Sequence, residues 1–264
     1  MKYMLRFVSI GLVLMLLPLA AFAGGEQEAD GAGSEAAATA VDAPKEAPEL
    51  AEMVASGELP PLEQRLPAEP FVVDPVERIG TYGGTWRRAI RGRSAWAFWG
   101  YVIKENEIRH NTDFTEIIPV IFKGYDVSSD YTTFTFYLRE GLKWSDGDEL
   151  DADDYAFWWN DVILNDELNP AKPATYKAGD DLAEFEKIDQ YTIRFTFSSP
   201  KSIFLHLLAQ PRFGGPLAGP SHYLKQFHAD YVSSSALESA MEDGGFDTWT
   251  DLYGNRATKH LNPE

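Results

Sequence analysis

Six carboxylates fall within nine positions of one short stretch, LKWSDGDELDADD: Asp146, Asp148, Glu149, Asp151, Asp153 and Asp154. Side chains of this type and density could hold a calcium ion, and two of them could form an acid–base pair for glycoside hydrolysis. A helix–loop–helix calcium loop needs oxygen ligands at alternate positions, glycine at the sixth and a bidentate glutamate at the twelfth. Counted from Asp146, the sixth position is Asp151 and the twelfth is Phe157, so the register fails. A glycosidase pair must face across a cleft, which neighbours on one turn rarely do. A structural reading accounts for each residue type. Ser145-Asp146-Gly147-Asp148 is turn chemistry, Asp151 is a helix N-cap, and Asp154 completes capping-box spacing at an end where the helix dipole favours negative charge.

The five histidines, His110, His206, His222, His228 and His260, show no close metal-ligand spacing, and each is expected on the surface or in the core. Cysteine is absent, which removes disulfides, thiol nucleophiles and thiolate metal sites. No metal, cofactor or catalytic residue is expected.

The elements that would position these groups are readable from periodicity. Phe134, Phe136 and Leu138 alternate with Thr133, Thr135, Tyr137 and Arg139, and Tyr191, Ile193, Phe195 and Phe197 alternate with Thr192, Arg194, Thr196 and Ser198. Both read as strands with one buried face. Between them Tyr155, Trp158, Trp159, Val162 and Ile163 fall at helical spacing as one apolar stripe, with Asn169-Pro170 and Pro173 as the stop. PELAEMVASGELPPLEQRLP predicts a short helix with Leu50, Met53 and Val54 on one face, ended by Gly57 and Pro60-Pro61. TYGGTWRRAI reads as a glycine turn feeding a strand, SIFLHLLAQ as a helix, and SSALESAMEDGGFDTWTDLYG as two helices broken at Gly244-Gly245. The fold class is α/β, in the broad sense of mixed α+β.

The chain has 264 residues, 44% of them hydrophobic, and a formal net charge of −18, which argues against nucleic acid as a partner. Lys2 and Arg6 precede an apolar run from Phe7 to Ala23 with a small-x-small end at Ala21-Phe22-Ala23. Residues 1–23 are expected to be a signal peptide cleaved after Ala23, and 24–46 a flexible acidic linker. A lipid anchor is not expected, because the position that would be acylated holds Phe22 rather than cysteine. The protein is therefore expected in the periplasm or outside the cell.

The string FTFYLREGLKWSDGDELDADDYAFWWNDVI resembles the signature of the family 5 extracellular solute-binding proteins, the oligopeptide, dipeptide and nickel-type receptors of bacterial ABC importers. The pattern runs Leu138-Arg139-Glu140-Gly141-Leu142-Lys143-Trp144-Ser145-Asp146-Gly147, then Asp151-Ala152-Asp153-Asp154. IDQYTIRFTFSSPKSIFLHLLA, GTYGGTWRRAI and PELAEMVASGELPPLEQRLP are similar to further blocks, so the likeness covers about Pro48 to Tyr253.

The resemblance implies a bilobal clamshell of the periplasmic-binding-protein type II kind, with 47–264 as the N-terminal part of the solute-binding domain and the second lobe missing. It implies a small solute, peptide or oligosaccharide, held between lobes and delivered to ABC permease subunits in the membrane. It places RGRSAWAFWGY in the cleft, which makes Trp96, Phe98 and Trp99 candidate flat contacts for solute and Arg91 or Arg93 candidate anion contacts. Tyr176 is a weaker candidate, and two of the three aromatics packing in the core is the competing reading. A secreted carbohydrate-active enzyme, a carbohydrate-binding module and a truncated chain without binding activity remain as alternatives. For the chain alone, weak or no solute affinity and limited stability are expected.

Overall fold

A computed structural model describes residues 45–75, 77–85, 87, 105–210 and 217–258. The proposed leader, residues 24–44 of the proposed linker, the TWRRAI strand beyond Thr85, and His260 fall outside these residues, Arg87 excepted.

At the centre is a four-stranded antiparallel sheet. Its strands are β3 (Phe122–Val127), β4 (Thr133–Leu138), β7 (Glu184–Asp189) and β8 (Thr192–Thr196), in the order β3-β4-β8-β7. Two smaller antiparallel pairs join β1 (Ile108–His110) to β2 (Ile117–Pro119) and β5 (Lys177–Ala178) to β6 (Asp181–Leu182). The alternation read from sequence becomes the two faces of this sheet. Phe134 opposes Phe195, Phe136 opposes Ile193, and these four with Leu138 are almost fully buried. Thr133, Thr135, Tyr137, Thr192, Arg194 and Thr196 are half-buried at the intervening positions. A pleated strand sends successive side chains to opposite faces, so a one-residue slip would carry the phenylalanines into water. Each buried phenylalanine is worth roughly 1.5–3 kcal/mol.

The core beneath the sheet is aromatic. Phe195 stacks on Tyr176 at 5.8 Å and meets Trp159 edge-on at 5.4 Å, while Trp159 stacks on Phe185 at 5.7 Å. Phe204, from helix α4 (Phe204–Leu208), inserts edge-on against Phe134 and Phe197. Offset and edge-on contacts set the electropositive rim of one ring on the face of the next.

Two N-terminal helices, α1 (Pro48–Ser56) and α2 (Leu62–Arg65), precede the sheet. The short helix ended at Gly57 forms as read, and its apolar face is not enclosed, since Leu50 and Met53 are exposed and α1 buries no residue. Gly57 ends α1 in the left-handed conformation, φ +80°.

The central helix also differs from its prediction. It runs as α-helix α3 (Ala152–Phe157) and continues as a π-helical turn over Trp158–Ile163, and the Leu164 N–H reaches back to the Trp159 carbonyl. It ends before Asn169-Pro170, with the Lys172 ammonium donating to the Leu164 and Asn165 carbonyls. Cations favour such C-terminal carbonyls. The single apolar stripe resolves into two faces. Tyr155, Trp159 and Ile163 enter the main core, whereas Phe157 and Val162 join a second core with Leu224, Tyr253 and Trp249. The reason is that α5 (Ser221–Leu224), α6 (Ser234–Gly244) and α7 (Trp249–Ala257) lie C-terminal to the sheet and supply that second cluster. The break between α6 and α7 occurs as read, with Gly245 at φ +69° donating to the Met241 and Glu242 carbonyls.

Candidate functional site

The acidic stretch is a structural hub. Its first half is a tight turn, in which the Trp144 N–H donates to the Asp148 carbonyl and the Leu150 N–H to the Leu142 carbonyl, each at 2.8 Å, with Gly147 at φ +96°. Its second half caps α3. Asp151 accepts from the Asp153 N–H at 2.8 Å, and Asp154 accepts from the Asp151 N–H, which closes a capping box. Burial raises the Asp151 carboxyl above its ordinary value. Asp153 pairs with Lys187 on β7. Asp154 is 3% exposed and takes two further hydrogen bonds, from Trp144 Nε1 and from the Ser221 N–H, each at 2.8 Å. Buried carboxylates persist where donors replace water, and here three do so.

His222 lies beside the turn, its Nε2 2.6 Å from Asp146 Oδ2 and 3.4 Å from Asp148 Oδ2. The hydrogen bond to His222 holds the Asp146 carboxyl below its ordinary range. His228 is fully buried in the second core, ringed by Phe157, Tyr231, Trp249 and Tyr253. Its Nε2 meets the Asp161 carbonyl at 2.8 Å and its Nδ1 accepts from the Asp230 N–H, so the Nε2–H tautomer satisfies both. His110 stacks on His206 at 5.3 Å. Among the described residues, no group of three or more histidines and carboxylates is placed to hold a metal ion.

The motif residues before the turn anchor the N-terminal arm. Arg139 is buried and donates from Nε to the Val120 carbonyl at 2.7 Å and from its guanidinium to the Glu69 carbonyl at 2.6 Å. The Ala68 N–H donates to the Glu140 carbonyl and Lys143 Nζ to the Gln64 carbonyl. Gly141 adopts φ +80° where a Cβ would lie 3.6 Å from the backbone of Pro67 and Ala68. Thus Arg-x-Gly-x-Lys is a docking strip for residues 64–69.

Of the residues expected to contact solute, Arg91, Arg93, Trp96, Phe98 and Trp99 lie outside the described residues. Tyr176 lies in the main core at 4% exposure, against Trp158, Trp159 and Phe195, and this packing accounts for its ring. The chain that follows the aromatic segment is held firmly. Asn106 Nδ2 donates to the Gln210 carbonyl at 2.7 Å, and the Glu107 carboxylate accepts from the Leu217 N–H. Both side chains are buried, so they fix the two borders of residues 211–216 against the start of β1. Sequence reasoning missed this junction. Its only signal is a polar pair, Asn106-Glu107, placed directly before an apolar strand residue.

The antiparallel aromatic sheet, the capped helix and the arm anchored on Arg139 are built from the motif residues of the sequence. Residues 116–234 match the model of the bacterial extracellular solute-binding proteins, family 5 (middle region). The chain is 36% identical over 207 residues to a periplasmic alpha-galactoside-binding protein of Rhizobium meliloti, covering 70% of this chain and 29% of the relative. Di/tripeptide-binding protein 2 of Pseudomonas aeruginosa is 35% identical over 117 residues, 39% of this chain and 21% of that protein. Among solved structures, an oligopeptide-binding protein OppA matches with a TM-score of 0.70 and 38% identity over 83% of this chain and 34% of its own. MelB of Agrobacterium fabrum, solved with stachyose, matches with a TM-score of 0.58 and 30% identity over 79% of this chain and 32% of its own. The chain thus spans about a third or less of the length of these relatives. All four are named as binding proteins.

Proposed function

We propose that this chain is part of an extracytoplasmic receptor that captures a small solute and delivers it to the membrane permease of an ABC importer. The reading is carried by one observation: the 0.70 and 0.58 structural matches, each over about four-fifths of the chain, are both to solute receptors. Receptors of this kind work by population shift, in which solute stabilises a closed form that the permease recognises. Nothing in this role requires a nucleophile or general acid, and the carboxylates of 146–154 are assigned to turn, cap and α5 contacts instead.

The solute class is an oligosaccharide or a peptide. The alpha-galactoside-binding relative and the stachyose complex favour the first, and both span most of this chain. The di/tripeptide-binding matches reach less than two-fifths of it, whereas the oligopeptide-binding OppA match spans 83% and supports the second. Recognition is assigned to Trp96, Phe98 and Trp99 as stacking faces and to Arg91 and Arg93 as anion contacts, with the Asn106–Glu107 junction holding the chain beyond them. The test is a calorimetric titration of the chain with stachyose and, separately, with a tetrapeptide. Weak saturable binding of one class that disappears in Trp96→Ala and Trp99→Ala is expected. Progressive cleavage of stachyose, or binding of either class that persists unchanged in both variants, would overturn the reading.

A further inference from the structure

On the open face of the sheet, Lys123, Tyr137, Glu140, Asp189, Gln190, Tyr191 and Thr192 enclose a groove of about 310 Å³. One row of the sheet crosses its floor: Gly124 opposes Tyr137, Tyr137 opposes Thr192, and Thr192 opposes Asp189. Both outer strands break register at this row. β3 carries its extra residue at Lys123, between Phe122 and Gly124, and β7 carries one at Ile188, between Lys187 and Asp189. A bulge bends the strand and re-aims the side chain it carries. Two bulges at one end of one sheet bring Lys123 and Asp189 to either side of the same tyrosine row.

The two tyrosine rings are fixed from outside the groove. Tyr137 Oη donates to Asp126 Oδ2 at 2.6 Å, and Tyr191 Oη donates to Glu149 Oε1 at 2.5 Å, while neither carboxylate lines the groove. Because the Glu149 carboxylate holds the Tyr191 proton, the phenol is pushed up to about 12. The Asp189 side chain further pins the Tyr191 N–H at 2.9 Å. Gly124 leaves the Tyr137 ring uncovered, since a Cβ there would lie 3.8 Å from Cδ2. The rings therefore need little reordering on contact with a ligand, which lowers the entropic cost of binding.

The lining combines donors and acceptors, with one cation, Lys123, against two carboxylates, Glu140 and Asp189. Lys123 lies 3.8 Å from Glu140, Gln190 and Thr192 offer both roles, and Asp189 accepts. Alcohol groups, which donate and accept at once, match such a wall, and the C–H faces of a sugar ring match an immobile aromatic surface. We propose that this groove is a binding site for a neutral saccharide residue, separate from the solute contacts assigned to Arg91–Trp99. It goes beyond the receptor function, and either can fail without the other.

The test is an NMR titration of the full chain with galactose, read at the amides of Gln190, Tyr191 and Thr192 and at the two tyrosine rings, with lysine as the charged control. Saturable shifts confined to these signals, at a Kd of about 1 mM, are the expected result. Tyr137→Ser should weaken them by about tenfold. Gln190→Ala, on an exposed turn where the sheet is not at risk, should weaken them by about threefold. The proposal is overturned if galactose leaves these signals unmoved, if shifts persist unchanged in Gln190→Ala, or if lysine produces them equally. Loss of stachyose binding in Trp96→Ala with these shifts intact would leave the groove standing on its own.

Discussion

The carboxylate of Asp154 and the backbone N–H of Ser221, 67 residues apart in the chain, are joined by a 2.8 Å hydrogen bond in the protein interior. The same carboxylate also receives Trp144 Nε1 and the Asp151 N–H. One side chain thereby fixes the motif turn, the start of α3 and the start of α5.

Replacing this carboxylate should be among the most damaging single changes to the described core. Asp154→Ala strands the buried Ser221 N–H and the part-buried Trp144 Nε1–H and Asp151 N–H, and each buried unsatisfied donor costs about 1–3 kcal/mol. A loss of about 3–5 kcal/mol is expected in urea unfolding, with an unchanged slope. A loss under about 1 kcal/mol would show that the Asp154 network is not a hub.

Arg139→Lys should act on the arm rather than on the sheet. Lysine presents one ammonium and cannot reproduce the fork that reaches the Val120 and Glu69 carbonyls together. Faster tryptic cleavage at Arg65 is the expected outcome, because the arm spends more time detached. The loss in global stability should be about 1–3 kcal/mol, the range of a charge-assisted hydrogen bond. Cleavage at the wild-type rate would place the anchor elsewhere.

Acid should loosen the clasp between the motif turn and α5. Asp146 has its folded carboxyl held below the ordinary 3.8, first by the hydrogen bond to His222. A depressed acid contributes stability that is fully present above its unfolded value and is lost as pH falls through its lower folded value. The contribution thus vanishes below the ordinary aspartate range. A carbon-detected NMR titration should return Asp146 toward its ordinary value in His222→Ala. Asp130, held low first by the Ser128 hydroxyl, should stay where it is.

Much of this architecture is written locally. Phe134, Phe136 and Leu138 announce a strand because burial on one face imposes period two, and Asp151 announces a helix start because free amides need an acceptor. The order of residues from Leu138 to Asp154 also carried the family resemblance. What could not be read is set by partners far away. Nothing local says that Arg139 will meet the Glu69 carbonyl, that Glu107 will receive the Leu217 N–H, or that His228 will sit beneath Trp249. The π turn at Trp158–Ile163 hides for the same reason, since helical spacing alone cannot reveal that apolar side chains serve two cores. Tyr176 shows the complementary difficulty: an aromatic in a loop context reads as reachable, and packing against Trp159 and Phe195 encloses it.

That shared helix has a consequence for how the protein opens. Tyr155 and Trp159 belong to one cluster and Phe157 to the other, so the rod is a common wall. Losing the smaller cluster uncovers one side of the wall, and losing the larger uncovers the other. Partial unfolding at this boundary therefore has no cheap intermediate, and the two clusters should exchange their amide hydrogens as one cooperative unit. The arm held by Arg139 has no such wall, and α1 should be the first helix to fray.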